Sequence, residues 1–494
     1  MTDDLQAAIL ALLEQARPHA RTPEATRRLD EIAGRLTGPL RLAIAGKVKA
    51  GKSTLLNALL GEELAPTDAG ECTRIVTWYH QSDRPHATLF PTTGDSRERP
   101  YRRDTGALQV DLGGLDPADV DHLEVGWPTS RLRDLTIIDT PGIASISADV
   151  SARTQRVLAA DDGRVPVADA VLYLLRHTHS TDIRFLESFH DDELAHGTPM
   201  NAVGVLSRAD EIGACRLDSM TVADRVARRY EAEPRMRRLC PVIVPVNGLL
   251  AHAATTLREA EYALLATLAK ASADEIAQLL LTADRLASRP TALPVTELER
   301  QHLLERFGLF GVRLSVELIR SGAAPTASEL STELTERSGL NRLRDVLFHQ
   351  FEARSRVLKA RSAVSALQDL LRGEEFAGAH ELQSRLEEVG AGAHEFQEVR
   401  LLSDLRSGAT ALPPDRREEL DRLFGGNGHD PASRLGLAPD AAPDDVRQAA
   451  LDALVTWHGV AEHPLTSRSD RIAARAAART LEGLLASASA SAEA

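Results

Sequence analysis

The chain has 494 residues, too many for one ordinary hydrophobic core, so two or three domains are expected. Its net charge of −14 speaks against a basic nucleic-acid binder and against bulk electrostatic adhesion to anionic lipid. Apolar residues make up 43% and aromatics 4%, and the wealth of Ala, Leu and Arg favours helix. Cys72, Cys215 and Cys240 have no ligand-like spacing and suit a reducing cytoplasm rather than a disulfide framework. Met1 to Asp4 does not resemble a secretory signal, and no apolar run approaches the ~18 residues of a membrane span. The expectation is a cytoplasmic protein, at most peripheral at the inner face of the cell membrane.

In chain order, Leu5, Ile9, Leu12 and Leu13 form a helical stripe, and Leu29, Ile32 and Leu36 form another after Pro18. Leu40 to Ala45 reads as a buried strand and Thr54 to Leu60 as a helix, with a glycine-rich loop between them. Strand-like runs follow at Ile75–Tyr79, Ala87–Phe90, His122–Val125 and Leu135–Ile138. Strand and helix then alternate: strands at Ala168–Leu175, Ala202–Leu206 and Val242–Val246, helices at Asp182–Phe189 and Val222–Tyr230. That alternation predicts an α/β domain with a mostly parallel sheet and flanking helices. From Leu249 the pattern turns helical, with breaks near Pro290, Pro294 and Pro325, and one long helix is expected from Leu340 through Leu371. Residues 407–445 read as a loop region, helices return at 446–458 and 467–487, and the Ala/Ser-rich tail Ala486–Ala494 is expected to fray. Residues 351–494 sum to roughly −6, so the helical part is acidic too.

Gly46-Lys47-Val48-Lys49-Ala50-Gly51-Lys52-Ser53 fits G-x-x-x-x-G-K-S between a strand and a helix. Gly46 and Gly51 let the backbone, Ala50 included, curl so that N–H groups point at phosphate oxygens, and the N-terminus of the helix that continues through Thr54 adds its dipole. Lys52 places an ammonium on the β- and γ-phosphates, and Ser53 offers a hydroxyl to Mg²⁺. This loop alone does not choose between ATP and GTP. Asp139-Thr140-Pro141-Gly142 follows an apolar strand. Asp139 can hold the Mg²⁺ water shell there, while Gly142 approaches the γ-phosphate through its N–H. Read alone, the same four residues also make an ordinary turn.

The base is read further on. Ala202 to Leu206 ends in Ser207-Arg208-Ala209-Asp210. A carboxylate at Asp210 can accept both the ring N–H and the exocyclic amine of guanine, which adenine cannot offer, so Asp210 selects GTP; the Arg208 stem covers the base. The usual form is Asn/Thr-Lys-x-Asp, from which Ser207 and Arg208 depart. Asn247-Gly248, after Val242–Val246, supplies the last base-facing loop.

These elements in this order resemble the dynamin superfamily of large GTPases, particularly the bacterial dynamin-like proteins. The segments Gly46–Thr54 and Glu71–Tyr79 are most similar to the actinobacterial isoniazid-inducible type. Pro66-Thr67 leading to Cys72-Thr73-Arg74 looks like switch I, and His122–Pro128 leading to Ile143 fits the family layout. The resemblance implies that Thr73 ligates Mg²⁺ and helps position the attacking water. Eukaryotic dynamins carry a serine where this chain has Lys49, a serine that helps bind a charge-compensating cation. Lys49 either replaces that cation as an internal counter-charge or points to solvent. Nothing in Ala144 to Ser147 replaces the water-orienting Gln of small GTPases, which fits slow basal turnover and a site completed by pairing of GTPase domains.

The resemblance further implies three parts: helices in 1–36 joining a neck bundle, a dynamin-type GTPase domain over 37–350, and a helical neck or bundle over 351–494. The expected ligands are GTP, GDP and Mg²⁺. Expected partners are a second copy or another dynamin-like protein, with peripheral membrane contact and no nucleic acid. A switch or scaffold without membrane activity is the alternative. In Phe307-Gly308-Leu309-Phe310-Gly311 core packing is favoured over insertion into lipid. His177 and His179 near Asp182 are expected to be ordinary histidines rather than metal ligands, and Trp457-His458 and His463-Pro464 to be packing features.

Overall fold

The strand that enters the glycine-rich loop, β1 (Leu40–Gly46), is buried on both faces apart from half-buried Arg41, as its otherwise apolar sequence requires. It lies between two parallel neighbours, β8 (Leu135–Asp139) and β9 (Ala170–Leu175), with Ile44 opposite both Asp139 and Leu172. The computed structural model describes residues 2–66, 75–104, 107–141, 168–176, 202–240, 242–348, 351, 354–373, 376, 379–407, 410, 412–426, 430–438 and 440–492. Cys72, Thr73, Gly142, His177, His179 and the expected helix Asp182–Phe189 fall outside them.

The other strands of the main sheet are β2 (Val76–Gln81), β3 (His86–Pro91), β4 (Arg97–Glu98), β7 (Val120–Trp127), β10 (Ala202–Ser207) and β11 (Ile243–Val246). Their order is β11-β10-β9-β1-β8-β2-β7-β3-β4. From β11 to β8 every pairing is parallel; β2 turns antiparallel to β8, and β3 runs antiparallel to both β7 and β4. A short hairpin of β5 (Tyr101–Asp104) and β6 (Ala107–Val110) stands apart. This is the mostly parallel α/β sheet that the alternating pattern predicts. One sheet face packs Leu42, Ile44 and Ile137 against Leu55, Leu56 and Leu59 of helix α3 (Lys52–Leu60). The other packs Ala43, Val171 and Tyr173 against Ala223, Ala227 and Tyr230 of the helix Ser219–Ala232.

The N-terminal stripes find their partner far along the chain. Thr22 caps α2 (Pro23–Thr37) by accepting from Ala25 N at 3.0 Å, with Pro23 pre-set for the first turn. Ile9 and Leu13 belong to α1 (Thr2–Ala16). Together with Leu29 and Leu36 they are buried against Leu367 and Leu371 of the helix Ser355–Arg372 and Leu386 of the helix His380–Gly392. Burying each such side chain contributes about 1.5–3 kcal/mol, which makes this the main force joining the two ends of the chain.

Four expectations are corrected. The stretch from Leu340 to Leu371 is two helices, Leu340–Leu347 and Ser355–Arg372, and Arg354 between them leaves helical geometry at φ −109° and ψ 6°. Buried Arg354 donates to Gly425 O, a tertiary contact that no local pattern carries. Residues 407–445 hold the helices Pro414–Leu423 and Pro431–Leu435, where the prolines sit in the first turn as starters, not breakers. The last helix, Arg468–Ala492, continues through most of the tail. Phe307 and Phe310 are buried in the core of a helical subdomain, as core packing predicts, and Trp457 is buried too. His458, His463 and Pro464, expected as packing features, lie instead at the surface. Among the described residues no helix is long and apolar enough to cross a membrane.

Candidate nucleotide site

The loop after β1 reaches its shape by using the left-handed region repeatedly. Gly46 has φ 150° and Gly51 φ 93°. A Cβ on Gly46 would stand 2.9 Å from Leu174 O, so the first glycine is also needed for close approach of β9. Lys49 has φ 62°, a conformation that costs a residue with a Cβ roughly 1–2 kcal/mol, and its side chain is exposed at the loop tip. Ala50 is buried beneath it. Lys52 Nζ donates to Gly46 O at 3.1 Å and Lys47 O at 3.3 Å, closing the loop around itself. Burial lowers the pKa of this ammonium, and the Asp139 carboxylate opposes that shift.

Parallel pairing of β1 with β8 delivers Asp139 beside α3. Ser53 Oγ donates to Asp139 Oδ2 at 3.2 Å. The residue as a whole keeps some exposure, yet Oδ1 is sealed from solvent and has no hydrogen-bond partner among the described residues. Burial pushes the carboxyl up to about 6, against the pull of Lys52 and the Ser53 hydrogen bond. An orphaned carboxylate oxygen beside a serine hydroxyl is the hard-oxygen donor set that suits Mg²⁺. Thr140 next door is buried and donates from Oγ1 to Ile44 O at 2.9 Å, tying this strand end to β1.

On the other side of β1 lies a cavity of about 190 Å³ lined by Gly51, Thr54, Arg208, Asp210, Asn247 and Leu249 among others. Thus Asp210 and Asn247 share a wall-lined space with the glycine-rich loop, although they are distant in sequence. Asp210 is half-buried, and burial raises its pKa, with its own backbone N–H working the other way. Ser207 Oγ donates to Leu175 O at 3.0 Å, so the departure from Asn/Thr here serves as a staple between β10 and β9. Asn247 caps the helix Gly248–Thr255, accepting from Leu250 N at 3.0 Å. Arg208 Nη2 donates to Lys49 O at 3.2 Å, which bridges the two loops across the cavity mouth.

Glu211 and Arg176 are not evident from sequence. Glu211 holds Arg208 at 2.9 Å and Arg176, at the end of β9, at 2.5 Å. Both ion pairs are well exposed, so they steer geometry more than they add stability. Their one sequence signal is position: an acid beside Asp210 and a base directly after a buried strand. Glu63 is a further case. It lies just before the segment that carries Thr73, is 3.0 Å from His252 Nε2, and is also within 3.7 Å of Arg306.

A glycine loop between β1 and α3, a carboxylate at the end of the adjacent parallel strand and a second carboxylate beyond β10 define a P-loop GTPase, with its site at the carboxyl ends of the strands. The sequence profile described as the dynamin family matches residues 42–194. The isoniazid-induced protein IniC of Mycobacterium tuberculosis is 42% identical over 459 residues, spanning 93% of this chain and 92% of that protein. A bacterial dynamin-like protein of Nostoc punctiforme is 30% identical over 220 residues, spanning 41% of this chain and 29% of its own. A solved chain of an oligomerised bacterial dynamin pair, associated with long-range sensing and tethering of membranes, overlays 99% of this chain and 73% of its own. Its TM-score is 0.35 at 12% identity, too loose to transfer residue roles. The chain belongs to the dynamin family of GTPases, and within it to the bacterial dynamin-like proteins.

Proposed function

We propose that this protein is a Mg²⁺-dependent GTPase whose nucleotide state is passed to its helical bundle, and that it works as an assembly at a membrane surface. The observation that carries the hydrolytic reading is the pairing of Ser53 with Asp139 beside Lys52, with Asp139 Oδ1 buried and without a hydrogen bond among the described residues. Ser53 and Asp139, with Thr73 by family resemblance, would hold Mg²⁺, which supplies charge neutralisation at the β- and γ-phosphates. Backbone N–H groups between Gly46 and Ser53 would bind phosphate oxygens, and the Lys52 ammonium would stabilise charge that grows toward the β–γ bridge. Gly142 offers its N–H to the γ-phosphate, and Thr73 orients the attacking water. Asp210 accepts from guanine, Arg208 and Ser207 shape that loop, and Asn247 and Thr54 complete the walls.

The bundle reading rests on the burial of α1 and α2 against Ser355–Arg372 and on their attachment to the sheet. Arg35 Nη2 reaches Asp169 Oδ1 at 3.2 Å, and Lys359 Nζ donates to Gly38 O at 2.7 Å. We take 1–36 and 351–494 as the neck bundle and 37–350 as the GTPase domain. The test is specific activity against protein concentration, with and without Mg²⁺, GTP and anionic vesicles. Turnover that rises with concentration and with vesicles supports an assembling membrane GTPase; flat specific activity sinks the assembly. The second reading, a switch or scaffold with a partner protein and no lipid contact of its own, is favoured by the burial of Phe307 and Phe310. Failure to co-sediment with vesicles in either nucleotide state would select it.

A further inference from the structure

The turn that carries Asp210 is held in a strained shape. Arg208 has φ 51°, and Ala214 and Cys215 each have φ 56°, a region that residues with a Cβ avoid. Such conformations persist where surrounding structure imposes them. Inside the turn, Cys215 N donates to Asp210 O at 2.8 Å, and Cys215 Sγ approaches Asp210 Oδ2 at 3.8 Å. The Cys215 backbone therefore sets where the Asp210 carboxylate stands.

A residue 98 positions away holds that backbone from outside. Arg313, on the helix Glu297–Arg320, donates from Nη1 to Cys215 O at 2.6 Å. The rest of its guanidinium is fixed on the helical subdomain: Nε and Nη2 reach Leu280 O at 2.9 and 2.6 Å, and Nη2 reaches Leu281 O at 2.9 Å. A planar fork with donors in fixed directions references one carbonyl to the others, which a flexible ammonium does only in part. The platform beneath it is well packed: Phe310, Val312 and Leu314, beyond the kink at Gly308 in the same helix, are buried, and Cys215 packs against that core.

We propose that Arg313 is a positioning residue for guanine recognition, fixing the strained Cys215 turn so that the Asp210 carboxylate meets both donor groups of the base. The inference rests on the reading of Asp210 as the guanine-selecting residue. Two hydrogen bonds from one base edge demand a carboxylate placed to within about 0.5 Å, and a relaxed turn loses the second bond first. Lys52, Ser53 and Asp139 are untouched by Arg313, so the effect falls on KM and base preference and leaves kcat nearly alone.

The experiment compares kcat and KM for GTP and ITP, whose base lacks the exocyclic amine, in the full-length protein and in Arg313→Leu, Arg313→Lys and Asp210→Ala, with Tm measured for each. Arg313→Leu is expected to cut the GTP-over-ITP preference in kcat/KM roughly five- to tenfold, mainly through KM, and Arg313→Lys to restore part of it. A preference kept by Arg313→Leu and lost in Asp210→Ala overturns the inference alone, whatever happens to Tm. A preference kept by both overturns the reading of Asp210 and the inference with it. Should Arg313→Leu not fold, Arg313→Gln, which keeps one amide NH₂ group, is read by the same ratio.

Discussion

Ser53 and Asp139 meet at 3.2 Å although they lie on different elements, one opening α3 and the other closing β8. Their contact uses Oδ2 of the carboxylate and leaves Oδ1 sealed without a partner among the described residues, and burial raises the carboxyl to about 6. A buried charge without full compensation is a destabilising feature, and such features cluster where a protein handles charged ligands.

Replacing Asp139 by Asn is therefore expected to stabilise the nucleotide-free protein at neutral pH while abolishing Mg²⁺-dependent turnover. The folded carboxyl holds its proton to about pH 6, whereas an unfolded Asp releases it near 3.8. Its contribution is thus favourable below the unfolded value and is lost as pH rises through the folded one. At pH 7.5 the wild type carries a penalty of up to about 3 kcal/mol that the amide removes. Thermal melts at pH 7.5 and pH 4.5 check this. The Tm gap should shrink at the lower pH, and an equal gap at both would show that the charge is not its cause.

Lys49→Ala isolates the ammonium, because alanine keeps the Cβ and hence the strain at φ 62°. If Lys49 acts as a counter-charge on the β–γ bridge, kcat should fall on the order of 10- to 100-fold while GTP affinity shifts less than about threefold. Equal losses in both would make Lys49 an ordinary binding residue, and unchanged turnover would leave it in solvent. Single-turnover hydrolysis alongside fluorescent-nucleotide titration separates these outcomes.

What is legible in the sequence is what local pattern encodes. The apolar run Leu40–Ala45, interrupted only at Arg41, and the spacing Gly46-x-x-x-x-Gly51-Lys52-Ser53 locate β1, the loop and α3 to within two residues. The 3.6 period of Leu29, Ile32 and Leu36 marks a buried face and leaves its partner open, because the covering helix begins at Ser355. Arg354, Glu211 and Arg313 cannot be found that way. Each acts through a carbonyl or charge brought near by the fold, and an arginine on a helix looks the same whether it faces water or a distant turn. The break before Ser355 escapes local pattern for the same reason, since neither glycine nor proline marks it.

Asp210→Asn should change the base rather than merely weaken binding. On the proposed reading the carboxylate would accept from both N1–H and the 2-amino group of guanine; an amide in its place would present its NH₂ to that amine and lose one acceptor. Xanthine carries an oxygen at the same position and suits the amide. GTP affinity is expected to fall on the order of 10²-fold and XTP affinity to rise by a similar factor. Titration with fluorescent GDP and XDP checks it, and wild-type GDP affinity in the variant would remove Asp210 from the base site.

The joint between bundle and sheet makes the last prediction. Asp169 is buried, with Oδ2 accepting from Arg41 N at 2.9 Å and Oδ1 from Arg35 Nη2 at 3.2 Å. It directly precedes β9, whose far end presents Leu174 O to Gly46 of the phosphate loop. Asp169→Ala strands both a strand N–H and a largely buried guanidinium, and should cost about 2–4 kcal/mol. Asp169→Asn keeps an acceptor for Arg41 N and should cost less. Arg35→Ala leaves the carboxylate with one partner, so the double variant should show a coupling of about 1–3 kcal/mol in urea unfolding. Additive losses would mean that α2 is held to the sheet by apolar packing alone, and that Asp169 serves only the register of β1 and β9.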